Sequence, residues 1–342
     1  MTTRRPIEFW HFGRPEITKI EAEAERLEAL GYDGLTLTDS QNLSGDTYVA
    51  LTLAARATSK LMIGPGVTNP LTRHAAVTAG AIASVQEASG GRAMLGIGRG
   101  DSSLFNIGHK PVSPTAFERY VSDVQTYLRG DALDAGGYTS RLHWLAQSDM
   151  PKTPVDVGAT GPKVIGIGAR LADRVSFSLG ADPDRLAWGV EQARQAVGDG
   201  GTMPSLGAYL NVCVHDDVER AAELVRAGVG IFAHFTSMPG ASRDKVKEGD
   251  NAVFNRLSDY DKARHGRSDA AHAEALPLDF IKRFAVIGPA EDCIAKLVAL
   301  SRLGLDRMFI IGPRVDQFGD EAVQAQARLA ADVFPALRSL AA

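Results

Sequence analysis

The sequence has little cysteine and no long apolar run. Its 342 residues include two cysteines, Cys213 and Cys293, which are far apart and form no CxxC motif. This usage predicts buried thiols in a reducing compartment. Residues 1–15 lack the apolar core of a secretory signal, and no uncharged apolar run is long enough to span a bilayer. These absences favour a cytoplasmic protein without a membrane segment.

A strong excess of charge is also missing. The formal net charge is −4, and the longest basic cluster is the pair Arg4 and Arg5. We therefore expect neither nucleic acid nor an anionic membrane as a partner. His11 and His234 have no carboxylate or second histidine at ligand spacing, so we expect no metal site. Neither a Gly-x-Ser-x-Gly elbow nor a Walker loop occurs, so hydrolases of those types have no support.

The chain does contain a regular alternation of short apolar runs and amphipathic segments. We predict strands at 7–12, 34–38, 61–66, 92–97, 154–157, 174–177, 206–214 and 307–311, with helices between them. This alternation indicates a parallel sheet, and eight such units predict a closed (β/α)₈ TIM barrel. An open doubly wound sheet is the alternative. We expect a single domain over residues 1–342.

The alternation breaks between residues 228 and 279, after a predicted helix over 216–227. We predict an insertion here, before the last strand, because a break this long in a barrel is usually a functional segment or a flexible lid. Aromatic residues make up 7% of the chain. Several of them are pocket candidates, although core packing is the expectation for each: Trp10, Phe105, Trp144, Phe232 and Phe235.

The loop after the fifth predicted strand has the composition of a phosphate cradle. Gly158, Ala159 and Gly161 let backbone N–H groups approach a ligand, and a helix beginning near Pro162 presents its positive end. Thr160 and Lys163 supply further donors. An ordinary tight turn is the alternative interpretation.

The run from Gly96 to Asp101 contains three glycines but differs from a dinucleotide-binding fingerprint. The third glycine has the wrong spacing, and no helix follows at once. Glycines at Gly98 and Gly100 suit a backbone that lies close to a flat ring. Asp101 at the tip could accept hydrogen bonds or take a proton, or it could simply bind its own backbone at the start of the loop.

Taken together, these segments resemble the luciferase-like superfamily of flavin- and deazaflavin-dependent oxidoreductases. The matching segments are Gly64 to His74, Ser89 to Asp101, Gly161 to Lys163, and Val286 to Gly312. The similarity extends over about residues 7–312 and is greatest to the methylenetetrahydromethanopterin reductase-like branch.

The resemblance implies a (β/α)₈ barrel, a cis peptide at Gly66–Val67, a variable insertion that covers substrate, and a homodimer. It also implies a cofactor site in which the loops after the third and fourth strands line the ring and the loop at residues 158–163 holds the phosphate. The cofactor residues it implies are Asp39, Gly66, Val67, Thr68, Asn69, Gly98, Arg99, Gly100, Asp101, Gly158, Ala159, Thr160, Gly161, Pro162 and Lys163.

One position departs from the family pattern. Several deazaflavin-dependent alcohol and sugar dehydrogenases of this family carry a histidine after the aspartate that ends the second strand, and here Ser40 follows Asp39. A hydroxyl group is not a general base near neutral pH without help. We therefore do not expect alcohol oxidation by that mechanism.

Two cofactor hypotheses follow, and we favour the first. Reduced FMN, supplied by a separate flavin reductase, would use O₂ to oxygenate a small organic substrate. Alternatively, a reduced deazaflavin would pass a hydride to a C=C or C=N bond without oxygen, although the acidic net charge disfavours its anionic tail. A non-catalytic flavin-binding protein is a third alternative. Asn69 and Asp101 are our candidates near the reactive edge, with Ser40 and His11 on the substrate side.

Overall fold

The computed structural model describes residues 7–238, 241–257 and 270–339. Its strands are β1 (Glu8–Gly13), β2 (Gly34–Leu37), β3 (Met62–Pro65), β4 (Leu95–Ile97), β5 (Leu133–Asp134), β6 (Thr139–Ser140), β7 (Val155–Ala159), β8 (Arg174–Phe177), β9 (Ser205–Val214), β10 (Val286–Gly288) and β11 (Arg307–Ile311). Eight of them form a parallel sheet in the order β3-β2-β1-β11-β9-β8-β7-β4. The predicted TIM barrel is confirmed.

Helices alternate with these strands. They are α1 (Ile20–Ala29), α2 (Thr47–Ala57), α3 (Ala75–Ala88), α4 (Ser102–Phe105), α5 (Pro114–Leu128), α6 (Pro162–Leu171), α7 (Pro183–Val197), α8 (Val218–Ser237), α9 (Glu248–Arg256), α10 (Ala271–Glu274), α11 (Leu278–Phe284), α12 (Ala290–Ser301), α13 (Val315–Arg328) and α14 (Phe334–Arg338). Along the part of the chain that the structure describes, no helix is long and apolar enough to cross a bilayer.

Side-chain caps fix where several of these helices begin. Asp46, Asp182 and Asp217 each accept hydrogen bonds from two backbone N–H groups in the first turn of α2, α7 and α8. His74 accepts one from Ala76 at the start of α3. Such caps satisfy N–H groups that have no partner inside the helix. Each helix therefore starts at a defined residue beyond the carboxyl end of its strand.

The barrel closes between β3 and β4, where two glycines allow the backbones to approach. A Cβ atom on Gly64 would lie 2.1 Å from the Met94 carbonyl oxygen, and one on Gly96 would lie 2.1 Å from the Pro65 carbonyl oxygen. Thr68 N–H donates to the Gly96 carbonyl at 2.9 Å, and Gly98 N–H donates to the Thr68 carbonyl at 2.9 Å. These bonds extend the pairing beyond the end of β3 and position the loop that follows it.

The barrel interior is aromatic in the middle and polar near the amino ends of the strands. Trp10 packs against Phe309 with ring centroids 5.6 Å apart. Asp156 and Arg307 are both 1% exposed, and Asp156 accepts two hydrogen bonds from Ser176. Burial raises the pKa of the Asp156 carboxyl group. In TIM barrels this end of the barrel serves stability, and active sites occupy the opposite face.

The predicted end of one helix is wrong. The helix predicted at 216–227 continues to Ser237, so the first ten residues of the predicted insertion belong to α8. The segment between β4 and α5 begins with the short helix α4. The last helical region begins at Val315, shortly after β11. Beyond α8, the described part of the predicted insertion is mainly helical, and residues 239–240 and 258–269 lie outside the described chain.

Candidate functional site

A cavity of about 900 Å³ opens at the carboxyl ends of the barrel strands. Its walls come from the loops after β1, β2, β3, β4, β7 and β11 and from one side of α8. The volume is at the upper end of the range for drug-sized ligands and cofactors. The site therefore lies where parallel α/β folds bind their ligands.

Most of the predicted site residues line this cavity. They are Asp39, Ser40, Gly66, Val67, Gly98, Arg99, Gly100, Asp101, Gly158, Ala159 and Thr160. The others do not appear in its wall: His11, Thr68, Asn69, Gly161, Pro162 and Lys163.

The wall around Val67 is formed by glycines from three neighbouring loops. The Gly66–Val67 peptide is cis, as the resemblance implied. A Cβ atom on Gly98 would lie 2.9 Å from Val67 Cγ2, and one on Gly158 would lie 3.2 Å from Val67 Cγ1. Because Gly66, Gly98 and Gly158 all face the cavity without side chains, this wall leaves room for a flat ring. We call this part of the cavity, formed by Gly66, Val67, Gly98 and Gly158, the glycine wall.

Asp39 ties the loop after β2 to the loop after β3. Its carboxylate is 3% exposed, and it accepts hydrogen bonds from Thr68 Oγ1 at 2.6 Å and from Arg73 Nη1 at 2.5 Å. Arg73 also lies 4.7 Å from the centre of the Tyr48 ring. Charge-assisted hydrogen bonds of this kind are short and strong. Asp39 thus lines the cavity, but its charge is neutralised by Arg73, and its contacts hold the loop beside the glycine wall.

Asn69 lies beneath the cavity. Its Oδ1 accepts from the Leu71 and Thr72 N–H groups at 3.0 and 3.1 Å, in a local turn that shapes the loop before α3. Asn69 is buried and does not line the cavity, and its expected role near the reactive edge stays a prediction. A turn-forming amide and a ligand-binding amide cannot be distinguished by residue type alone.

His11 faces away from the cavity. Successive side chains of a strand point to opposite sides, and the inward positions of β1 are taken by Trp10 and Phe12. The imidazole of His11 packs edge-on against Tyr32 at 5.7 Å. Burial lowers the pKa of His11 to about 4. The structure therefore does not bring His11 to the substrate side.

The loop after β7 leads into α6 as predicted. Gly161 is the N-cap residue and Pro162 is in the first turn, so the helix start carries no capping side chain. Thr160 and Val164 line the cavity, whereas the Lys163 side chain is exposed. The positive end of α6 and Thr160 remain suited to a phosphate group, but Lys163 is not part of the wall.

Sequence reasoning missed the contribution of α8 to the cavity, and it expected core packing for each of the aromatic residues named as pocket candidates. Phe232 and Phe235 line the cavity. Phe12 lies 5.6 Å from Phe232 between ring centroids, and Tyr209 stacks on Phe309 at 4.5 Å. Trp10 is in the core, whereas Phe105 and Trp144 are exposed. The apolar periodicity of α8 could have indicated the longer helix, but its glycines were interpreted as the end of the helix.

Three loops bring arginines to the cavity. Arg14 follows β1 and Arg314 follows β11, and both line the wall. Arg14 lies 3.8 Å from Asp316, to which Arg314 also donates at 2.9 Å. Arg99 lines the wall between β4 and α4 and donates to the Val112 carbonyl at 2.6 Å. Three carboxylates also line the wall, Asp39, Asp101 and Asp316, so its formal charge is balanced and less acidic than the overall net charge of −4 suggests.

Asp101 meets a histidine that is distant in the sequence. His234 Nε2 lies 3.6 Å from Asp101 Oδ2, and their side chains are 8% and 9% exposed. His234 belongs to α8, and its Nδ1 lies 3.0 Å from the Leu257 carbonyl oxygen. The sequence showed no partner for His234, because the barrel closure brings the two segments together.

Comparisons with known proteins agree with this architecture. The 5,10-methylenetetrahydromethanopterin reductase of Methanolobus tindarius is 26% identical over 317 residues, which is 88% of this chain and 93% of that protein. The structure of the coenzyme F420 dependent tetrahydromethanopterin reductase from Methanopyrus kandleri superposes with a TM-score of 0.75 at 21% identity, covering 97% of this chain and 99% of that one.

A monooxygenase shares the fold at greater distance. The FMN complex of the oxygenating constituent of 3,6-diketocamphane monooxygenase from Pseudomonas putida has a TM-score of 0.66 at 14% identity, with 96% of this chain and 98% of that one covered. The family model described as luciferase-like monooxygenase matches residues 6–307. The protein is therefore an oxidoreductase that belongs to the luciferase-like monooxygenase family.

Proposed function

We propose that this protein is a deazaflavin-dependent oxidoreductase that passes a hydride to a C=C or C=N bond of a small organic substrate. The observation that carries this proposal is the glycine wall, which leaves a ring-sized space beside Val67 in a cavity that also contains Ser40 and Asp101. The reductases among its relatives, one of them named as coenzyme F420 dependent, support a deazaflavin over FMN. The sequence alone led us to favour FMN.

The residues of the cavity fit such a cofactor. Gly66, Val67, Gly98 and Gly158 would hold the ring, and Thr160 with the first turn of α6 would hold the phosphate. Arg14, Arg99 and Arg314 could contact an anionic tail, and because they balance the three carboxylates of the wall, the wall is less acidic than the whole chain. When bound, a reduced deazaflavin supplies the hydride.

The chain's own residues orient the reactants and exclude water. Asp39 and Arg73 hold the loop that carries Val67, so that the glycine wall is formed before any ligand binds. Phe12, Phe232 and Phe235 supply an apolar side to the cavity, which keeps water away from a transferred hydride. Ser40 and Asp101 provide the polar groups that face substrate.

Oxygenation with reduced FMN is the second candidate. The observation that favours it is the shared fold of the FMN-containing monooxygenase. It would require O₂ and a supply of reduced flavin from a separate reductase. The homodimer and the cytoplasmic location remain predictions, and sedimentation velocity of the purified protein would test the first of them.

Equilibrium titration tests the choice of cofactor. Purified protein is titrated anaerobically with reduced deazaflavin and, separately, with reduced FMN, and binding is followed by calorimetry. We expect the deazaflavin to bind at least tenfold more tightly, a difference of about 1.4 kcal/mol. Tighter binding of FMN would replace the proposal by the monooxygenase, and binding of neither would contradict both.

A further inference from the structure

His234 is a buried histidine in contact with the cavity's acidic residue, although its own side chain is not part of the wall. Three segments meet around it: α8, which carries it, the loop after β4, which carries Asp101, and the end of α9, which supplies the Leu257 carbonyl group. A buried imidazole between a carboxylate and a carbonyl group has a defined arrangement of protons.

The carbonyl group fixes which nitrogen carries hydrogen. A carbonyl oxygen can only accept, so His234 Nδ1, 3.0 Å from the Leu257 oxygen, must be the N–H donor. The nitrogen that gains or loses a proton is then Nε2, which is the atom 3.6 Å from Asp101 Oδ2. The arrangement matches the way enzymes orient a histidine through one ring nitrogen so that the other can act.

We propose that His234 is a positioning residue that stores a proton for Asp101, the residue through which it acts on substrate. This inference rests on the proposed hydride transfer and adds the source of the proton. Hydride addition to a C=C or C=N bond leaves a basic atom that one proton must neutralise. The hydride comes from the reduced deazaflavin, whose remaining ring N–H proton passes to water.

The protein supplies the proton to the substrate. The Nε2–H bond of His234 breaks as the Asp101 carboxylate takes up the proton, and the Asp101 O–H bond so formed breaks as the new N–H or C–H bond of the product forms. Water then returns one proton to Nε2 after the product has left. One hydride and one proton are thus added to the substrate, and the pair ends each turnover as it began.

Other charged groups on the surrounding elements have partners of their own. Arg99 donates to the Val112 carbonyl, Arg226 on α8 pairs with Glu223, and Asp250 on α9 pairs with Arg283. Arg256 at the end of α9 is exposed. Across the cavity, Asp39 is held by Arg73, and Asp316 pairs with Arg14 and Arg314.

Nitrogen NMR of the protein without coenzyme directly tests where the protons lie on His234 beside Asp101. The histidines are labelled with ¹⁵N, and the His234 signals are identified by their loss in His234→Asn. At pH 7 we expect protons on both Nδ1 and Nε2. In Asp101→Asn we expect the Nε2 proton to be lost at that pH, because the carboxylate no longer stabilises the imidazolium.

Two results would overturn the proposal. One is a His234 Nε2 without a proton at pH 7 in the unmodified chain, and the other is a proton that stays on His234 Nε2 at pH 7 in Asp101→Asn. Unshifted signals from the other histidines show that the variant is folded. Since no coenzyme is present, this result is independent of the test of the proposed function.

A kinetic measurement distinguishes the proposed proton storage by His234 from a role of His234 in packing alone. His215 offers a matched control, because its Nε2 lies 3.8 Å from Glu321 outside the cavity. We expect His234→Asn to lower kcat at least tenfold and to change the pH profile of kcat, with coenzyme dissociation constants within twofold of the unmodified protein. His215→Asn should change none of these. An unchanged pH profile in His234→Asn would contradict the proposed role.

Discussion

Gly98 is the residue at which the shape of the cavity is most directly testable. A Cβ atom there would lie 2.9 Å from Val67 Cγ2, so a methyl group must displace Val67 or occupy the space beside the glycine wall. We expect Gly98→Ala to raise the dissociation constant of the reduced deazaflavin about tenfold, equivalent to about 1.4 kcal/mol.

Gly80→Ala is the control for this change, since the nearest atom to its added Cβ would be 3.8 Å away and Gly80 does not line the cavity. Calorimetric titration of both variants checks the prediction. Equal affinity of Gly98→Ala and the unmodified protein would show that the ring does not lie against this wall.

His11 gives a pH-dependent contribution to stability. Burial lowers its pKa in the folded protein from 6.5 to about 4, so the unfolded chain binds more protons between these values. The effect of His11 on the free energy of unfolding is therefore absent above pH 6.5. As the pH drops towards 4, this effect lowers the free energy of unfolding by up to about 3 kcal/mol.

In the variant His11→Leu, the free energy of unfolding should fall much less between pH 6.5 and 4 than in the unmodified chain. Urea unfolding at a series of pH values measures it, with the exposed His109→Asn as the control. A His11→Leu protein whose stability declines as steeply as that of the unmodified chain would refute the assignment.

The contact between β3 and β4 is the element on which the site depends. Gly96 lies so close to Pro65 that an added Cβ would be 2.1 Å from its carbonyl oxygen, and both strands are fixed by their hydrogen bonds. We expect Gly96→Ala to lower the free energy of unfolding by about 3 kcal/mol, as for overpacked core positions.

Gly249→Ala in α9 should instead be neutral or slightly stabilising, because its Cβ meets nothing within 4 Å and alanine favours helix. Denaturant unfolding compares the two variants. A Gly96→Ala protein as stable as the unmodified chain would mean that the strands can separate at this point without cost.

The helix α8 shows why sequence reasoning failed at one element. Gly228 lies at the point where the prediction ended the helix, yet α8 continues for nine residues beyond it. A Cβ atom on Gly228 would lie 2.5 Å from Asn211 Nδ2, so this glycine permits close packing of helix on strand. A glycine that permits close packing and a glycine that ends a helix look alike in sequence, and only the tertiary contact separates them.

At the scale of the whole molecule, the barrel was predictable because its signals are local. Each strand and each helix carries its own periodicity, and the carboxyl-end loops of parallel strands must converge. The sequence predicted a close approach of a flat ring at Gly98, and the resemblance added Gly66, whereas Gly158 was expected in the phosphate-binding loop. The pairing of Asp101 with His234 was not predicted, since no local pattern relates a loop after β4 to the far end of α8.

The orientation of single side chains was the other feature that could not be predicted from the sequence. His11 and Asn69 lie in the predicted segments, but one faces α1 and the other folds into its own turn. The net charge is a poor guide to the cavity for a related reason, since the wall has its own balance of arginines and aspartates. Net charge describes solubility and steering, and it does not describe one binding site.

Isotope tracing tests the central claim most directly. Protein loaded with deazaflavin carrying deuterium at its hydride position is mixed with conjugated enones and cyclic imines under ¹⁸O₂, and the products are analysed by mass spectrometry. A parallel series uses reduced FMN. We predict deuterium in the product, no ¹⁸O, and no change when oxygen is removed. Products that contain ¹⁸O, formed only with reduced FMN, would contradict the account.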